Sequence, residues 1–559
     1  MRRGYEKVCM AAAVLAMSLS LSACGMDSLV DALGTSGKSQ ETAGETQEAS
    51  EESQGAAGES QEASGETQEA PEESQGAAAD SQEVPERGEN ALLHPLVQEQ
   101  YLSDYDDSFR QLAYTEYASV GIRCADEKYA PLEAVLDRYN QDRKAEAERI
   151  HGELLEAAKA DSEMNEHFYR YENVDSVDIL RADEQVFSFV RENYDYMGGA
   201  HGETSFFCAN LDAETGEELR LSDVISHEDA FWKYVEGELA KEYASQDLLL
   251  PGWEEQVQRR AADSEGGGPF VLSQSGVRVI FVPYELGPYA LGAVTVEVPY
   301  QASEVGFNDV YVPDEGQSVW KLDPYEELDL DVDGDGREET IRYEEQTAGD
   351  GLWTSYVLTI SSGEKTVRTV SAQGECDYGI TRGYVMAKPA GGFVFYAECR
   401  SDNDWRYLSA IDLTELWTGN EEITPAMYYD AFYDHVPVSA ESFYVSTRGY
   451  LLSTVSISRE HCVGQDGLPT PLQEDYEFDS FAPTVKRDVP GIDPDSAQAR
   501  TIPAGSQVEA VSTDEESYVI FRMTDSGELV KVEIDGAEWP HTIDGVDIQE
   551  YFEGLIFAG

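Results

Sequence analysis

The chain has 559 residues, with 111 acidic against 38 basic and a formal net charge of −73. That balance argues against nucleic acid and anionic membrane surfaces as partners, because both are bound through basic surface. It suits metal ions and basic proteins, although solubility alone also accounts for an acidic exterior.

The opening "MRRGYEKVCMAAAVLAMSLSLSAC" places Arg2, Arg3 and Lys7 before an apolar run from Met10 to Leu21. A basic start, a short apolar core and small residues make a secretory signal over 1–23. The run is too short to span a bilayer of about 30 Å. Leu21-Ser22-Ala23-Cys24 resembles a bacterial lipobox, which implies lipidation of Cys24 and an anchor on the extracellular face of the cytoplasmic membrane. A plain secretory signal beside a chance cysteine is the alternative. From 24 to 90 the chain is rich in Gly, Ser, Ala, Gln and Glu, and "GETQEASEESQGAA" at Gly44–Ala57 recurs at Gly65–Ala78 with Ser50 changed to Pro71. The repeat has no large apolar residue to bury, so this segment reads as a disordered acidic tether.

Residues 91–302 read as an α+β domain of antiparallel sheet and helices. Pro131 to Lys159 carries apolar residues at helical spacing with a proline in the first turn. Alternation around turn signals predicts strands near 168–180, 185–196 and 203–212. Helices are expected at Asp229–Tyr243 and Glu254–Ala262, and two or three strands close the region.

Within it, "YDYMGGAHGE" at Tyr194–Glu203 sets a histidine among glycines. Gly198, Gly199 and Gly202 read first as a tight turn with positive φ between paired strands. A ligand-contacting loop formed by Tyr194, Tyr196, His201 and Glu203 is the second reading. Catalysis is the weakest, since Glu203 and Ser205 flank His201 but no GxSxG elbow or second triad motif is present. "YDYMGGAHG", "NLDAETGEELRLSDVI" and "FVPYELGPYALGAVTVEVPY" together resemble an extracellular domain family. The lysozyme-sensing anti-sigma factor RsiV and the non-catalytic N-terminal part of the peptidoglycan deacetylase PdaC share it. The resemblance implies a wall-facing recognition domain whose ligand is peptidoglycan or lysozyme. Deacetylation is not implied, because no HxxxH pair occurs among the eight histidines.

After a linker at 303–320, a β-rich domain is expected over 321–486. It opens with "DLDVDGDGREETIRY". Asp331, Asp333 and Asp335 alternate, Gly336 permits a sharp turn, and Glu339 follows. With the Arg337 carbonyl, these oxygens suit one hard cation, and calcium is the expected cofactor. The motif is similar to the calcium loops of FG-GAP repeats; a solvated acidic turn is the alternative. Period-2 alternation in "YVLTISSG", "YLSAIDL" and "ESFYVSTRGYLLSTVSIS" argues for an all-β fold, sandwich or incomplete propeller. Trp353, Trp405 and Trp417 read as core packing before a carbohydrate-stacking face. "RDVPGIDPDSAQARTIPAG" reads as a linker over 487–505, ahead of a small β module at 506–559.

Cys9 falls in the signal and Cys24 in the lipobox; of the five others, Cys124–Cys208 and Cys376–Cys399 are possible pairs. The expectation is thus a multidomain chain, α+β followed by all-β. The expected role is that of a non-enzymatic, surface-anchored binding protein for a cell-wall or lysozyme-type ligand. The alternative is a cell-wall or glycan hydrolase with its site in the β domain.

Overall fold

The computed structural model describes residues 93–557, apart from 125, 166–167, 264–266, 315, 348–353, 372–375, 377–378, 401–404 and 420–424. The signal, Cys24, the tether and Trp353 lie outside the described residues. Among those described, no helix is long and apolar enough to cross a membrane.

The first region is a five-stranded sheet crossed by one long helix. Strands β1 (His94–Tyr105) and β2 (Gln111–Arg123) form a hairpin that leads into helix α1 (Ala130–Ser162). Strands β3 (Tyr171–Ala182), β4 (Val186–Tyr196) and β5 (Glu203–Asp212) follow, in the sheet order β1-β2-β3-β4-β5, with β2 and β3 parallel and the other pairs antiparallel. Helix α1 starts with Pro131 in its first turn, where a missing N–H costs nothing. Its buried residues Leu132, Leu136, Arg143, Ala147, His151, Leu154 and Ala158 recur at steps of three, four or seven residues, one face turned to the sheet. That face also carries a cation. Arg143 is buried and donates to Asp175 of β3 at 2.6 Å and to Asn173 at 3.2 Å, so its charge is paired where water is excluded.

A second layer closes this region. Helices α2 (Leu221–Val224), α3 (Glu228–Glu242) and α4 (Trp253–Ala261) pack with the sheet β6 (Phe270–Leu272), β7 (Gly276–Phe281) and β8 (Val294–Pro299). Phe231, Trp232, Val235 and Leu239 of α3 meet Val277, Val279, Val296 and Val298 in one core. Arg260 grips Glu285 with two bonds at 2.6 and 2.5 Å and lies over Phe281. The two sheets are joined by Asn210 of β5, whose Oδ1 accepts Leu272 N–H at 2.7 Å and whose Nδ2 donates to the Phe270 carbonyl at 3.0 Å.

The remainder is all-β and mostly antiparallel. Strand β9 (Val319–Lys321) precedes a four-stranded sheet of β10 (Leu328–Leu330), β11 (Glu339–Thr347), β12 (Thr354–Ser362) and β13 (Lys365–Val370). Next come β14 (Ile380–Ala387), β15 (Phe393–Arg400), β16 (Arg406–Asp412), the short helix α5 (Leu413–Thr418) and β17 (Ala426–Tyr428), which with β9 make a second sheet. One face of this sheet packs Phe395 and Ala397 against Tyr356 and Leu358 of the four-stranded sheet. The other packs Tyr396 and Leu408 against Phe432, Phe443 and Val445. With both faces covered, residues 394–399 of β15 are buried without a break, so the usual polar alternation is lost. Cys376 and Cys399 form a disulfide in this core, whereas Cys124, Cys208 and Cys462 are free thiols.

The last large sheet contains β18 (Phe443–Gly449), β19 (Val455–Val463), β20 (Pro469–Pro471) and β21 (Tyr476–Phe478). Strand β22 (Thr484–Val485) pairs with residues 552–553. Strands β23 (Val489–Ile492), β24 (Ala499–Ile502), β25 (Val508–Thr513), β26 (Tyr518–Met523) and β27 (Leu529–Glu533) complete the run β18-β19-β21-β25-β26-β27-β23-β24. The stretch expected as a linker, 487–505, thus contains a hairpin laid against β27. Gly491 is there for close approach: a Cβ on it would meet the Lys531 carbonyl at 2.7 Å.

The α+β and all-β regions join at β1. Val97 N–H donates to the Asp434 carbonyl at 2.8 Å and Val436 N–H to the Pro95 carbonyl at 3.0 Å.

Candidate functional site

The β4–β5 connection is a turn, as its glycines suggest. Gly198 and Gly199 have φ of +88° and +101°, a region open to glycine without penalty. Gly202 corrects the expectation, because its φ is not positive. A Cβ there would meet the Asp195 carbonyl at 2.4 Å and the Tyr194 ring at 2.6 Å, so it is a close-approach glycine.

Register places three connections at one end of the sheet: the β1–β2 turn, the α1–β3 segment and the β4–β5 turn. Each carries exposed apolar side chains, namely Phe109, Met164 with Tyr169, and Met197. Tyr196 meets Tyr169 edge-on with centroids 5.9 Å apart and donates its hydroxyl to the Gly199 carbonyl at 3.2 Å. His201 stacks on Tyr289 at 4.6 Å and turns Nδ1 to the Gly202 carbonyl at 3.2 Å. Tyr289 also contacts Tyr284 at 5.6 Å. Both tyrosines belong to "FVPYELGPYALG", so the first and third of the quoted motifs meet in space. Glu203 pairs across the strands with Asp195.

Burial pushes the Tyr289 hydroxyl up to about 12, and burial with the neighbouring Glu203 raises the Asp195 carboxyl. Tyr289 Oη and Asp195 Oδ1 are shielded from water without a hydrogen-bond partner among the described residues. Such groups are costly alone and gain when a ligand satisfies them. Tyr169, Tyr284 and Tyr289 were not singled out from sequence. Tyr284 and Tyr289 carried a signal in the third motif, but nothing local tied it to His201, and Tyr169 lies in none of the quoted motifs.

The aspartate loop joins β10 to β11. Oxygens of Asp331, Asp333 and Asp335 come within 4.8 Å of one another. Asp331 is held by N–H groups of Gly334, Asp335 and Gly336 at 2.8–3.0 Å, and Asp335 accepts the Arg337 N–H at 2.9 Å. Gly334 and Gly336 have positive φ, which allows the tight wrap. Glu339 is buried at the head of β11, where its Oε2 accepts the Val332 N–H at 3.0 Å. Burial, then the three aspartates, raises its carboxyl. The donors are hard oxygens only, a set that fits Ca²⁺.

Sequence reading missed several clusters of imidazole, carboxylate and hydroxyl, among them buried His151, with Asp104 at 2.9 Å on Nε2 and the Thr115 hydroxyl at 3.0 Å on Nδ1, and one at the regional junction. His435 Nε2 stands 3.8 Å from Asp479 Oδ1. Ser458 and Ser456 donate to the two oxygens of that carboxylate at 2.6 and 2.5 Å. Arg123 reaches the same group and lies over Tyr444, which stacks on His435. A triad needs the hydroxyl on the imidazole; here both serines bond the carboxylate, and His435 is buried. The arrangement ties two regions together.

Residues 222–301 match the family model DUF3298, described as a protein of unknown function. Tyr284 and Tyr289 lie inside the match, and the 194–203 turn precedes it. No curated protein matches the chain. Among solved structures, a DUF3298 family member from Bacteroides fragilis NCTC 9343 is similar at 16% identity and a TM-score of 0.29, over 39% of this chain and 95% of that one. A DUF3298 family protein from Pseudomonas aeruginosa PAO1 is similar at 14% identity and a TM-score of 0.27, over 40% of this chain and 98% of that one. Likenesses of that size carry no argument about function.

Proposed function

We propose that this is a surface-anchored bacterial lipoprotein whose α+β region is a non-catalytic binding module for a cell-wall or lysozyme-type ligand. The observation that carries the reading is the loop end of the five-stranded sheet. Tyr169, Tyr196, Met197 and His201 gather there beside Glu203 and two polar atoms, Tyr289 Oη and Asp195 Oδ1, without a partner among the described residues. Aromatic side chains supply large contact area at low entropic cost. The overall negative charge would speed encounter with a basic protein. Lipidation of Cys24 would hold the module at the membrane, and the acidic tether would carry it outward.

Calcium belongs to the same proposal. Asp331, Asp333, Asp335 and Glu339, with the Arg337 carbonyl, would hold it. The ion would neutralise repelling carboxylates and stiffen the β10–β11 connection.

Capture tests the reading. Purified protein is incubated with peptidoglycan sacculi and, separately, with lysozyme at physiological salt. Co-sedimentation with one of them, or loss of lysozyme activity, is expected. Retention of neither, or release of muropeptides by the protein itself, defeats it.

A further inference from the structure

A cavity of about 580 Å³ opens between the β18–β19, β25–β26 and β27–β28 connections, the last strand being β28 (Thr542–Ile543). Its size is that of a small-molecule site. Tyr450, Leu451, Glu515, Glu516, Asp535 and His541 line it, together with Ser517, Ile534, Gly536 and Ala537. It belongs to none of the features above.

The lining is rich in acceptors and holds no lysine or arginine. His541 Nδ1 lies 2.8 Å from the Leu451 carbonyl. A carbonyl only accepts, so Nδ1 carries a proton. Glu515 Oε2 accepts the Tyr450 N–H at 2.7 Å, while its Oε1 is shielded from water and has no hydrogen-bond partner among the described residues. Burial raises this carboxyl, and a cation beside it would relieve that penalty. Tyr450 is 41% exposed and stacks on Trp405, whose other neighbour is the Arg448 guanidinium. Trp539 is 57% exposed and packs against His541 and Phe557. Glu515 and Glu516 stand on the β25–β26 connection and Asp535 on the β27–β28 connection. Among the described residues, the only cluster of three or more such side chains close enough to share one ion is Asp331, Asp333 and Asp335. Dispersed acceptors beside aromatic faces suit an extended organic cation better than a metal.

We propose that this cavity binds an organic primary amine, its ammonium held by Glu515, Glu516 and Asp535 and its body laid along Tyr450.

The test is a calorimetric titration of the full chain with 1,5-diaminopentane at 0.15 M salt, with pentan-1-ol as the uncharged control. Saturable binding to one site is expected, about tenfold weaker in Glu516→Gln and in Glu515→Gln. Glu515 accepts backbone N–H groups and its replacement can unfold the cavity; Glu516 is exposed and its side chain bonds nothing among the described residues, so its variant stays interpretable. Equal affinity in folded Glu516→Gln marks diffuse attraction to an acidic surface and overturns the proposal. So does an equal response to pentan-1-ol, or displacement of the amine by stoichiometric Ca²⁺ in a protein carrying Asp331→Asn and Asp333→Asn. Tyr196→Ala leaves this titration unchanged, so its outcome is separate from that of the binding face.

Discussion

Arg123 and Asp479 are separated by 356 residues, yet Nη2 of one lies 3.0 Å from Oδ1 of the other. They are one charged link between the α+β region and the β sheets, and Lys321 with Asp178 is another. Arg123→Ala leaves the Asp479 carboxylate with only its serines and a neutral imidazole. A loss of about 2 kcal/mol is expected, read as a lower urea midpoint. An unchanged midpoint means that the backbone pairing of β1 with residues 434–436 suffices alone.

Histidines buried as neutral groups give the β region a pH dependence. Burial pushes His461 down to about 3 while Tyr428 and the Arg459 carbonyl hold its ring at 2.8 Å, and burial also lowers His435. The unfolded chain protonates these groups near pH 6.5 and the folded chain does not, so acidification drains stability. Each loses up to about 1.4 kcal/mol per pH unit below 6.5, until its own folded value is reached. Urea midpoints from pH 7 to 4 should fall less steeply in His461→Gln than in the wild type; parallel curves refute the assignment.

Calcium should raise the thermal midpoint, and a chelator should lower it. At a hundredfold excess over Kd the gain is about 2.7 kcal/mol. Asp331→Asn with Asp333→Asn should abolish the response. A response that persists in the double variant places the ion elsewhere.

Gly202→Ala and Gly199→Ala separate the two uses of glycine in one turn. At Gly202 the new Cβ would meet a carbonyl and a ring fixed in the sheet, and a cost of about 1–3 kcal/mol is expected. At Gly199 the Cβ enters open space and only its φ of +101° is strained, so a smaller loss of about 1 kcal/mol should result. Differential scanning calorimetry orders them, and the reverse order contradicts the packing argument.

Much of the α+β region was legible because its signals are local. Leu132, Leu136 and Leu154 mark the face of α1, and alternation marks β3, β4 and β5. Arg143 was not readable as core, since its partner Asp175 lies on another element. Residues 393–399 were legible as a strand from their β-forming residue types, although burial on both faces of the sheet erases alternation there. Pro490 and Gly491 suggested a linker, but in β23 they answer to the passing backbone of Lys531. The aspartate loop was legible as a motif of spacing alone. The stacking of His201 on Tyr289 was not, because it joins residues whose elements meet only in the folded chain.

The account rests most on the loop end of the five-stranded sheet being a surface that binds. Its direct test is an equilibrium titration of lysozyme, and in parallel of soluble peptidoglycan fragments, into wild type and into Tyr169→Ala with Tyr196→Ala at 0.15 M salt. The account predicts micromolar or tighter binding of one ligand, weakened about tenfold or more in the variant with its fold intact. No binding of either ligand at that strength, or identical affinity in the two proteins, would contradict it.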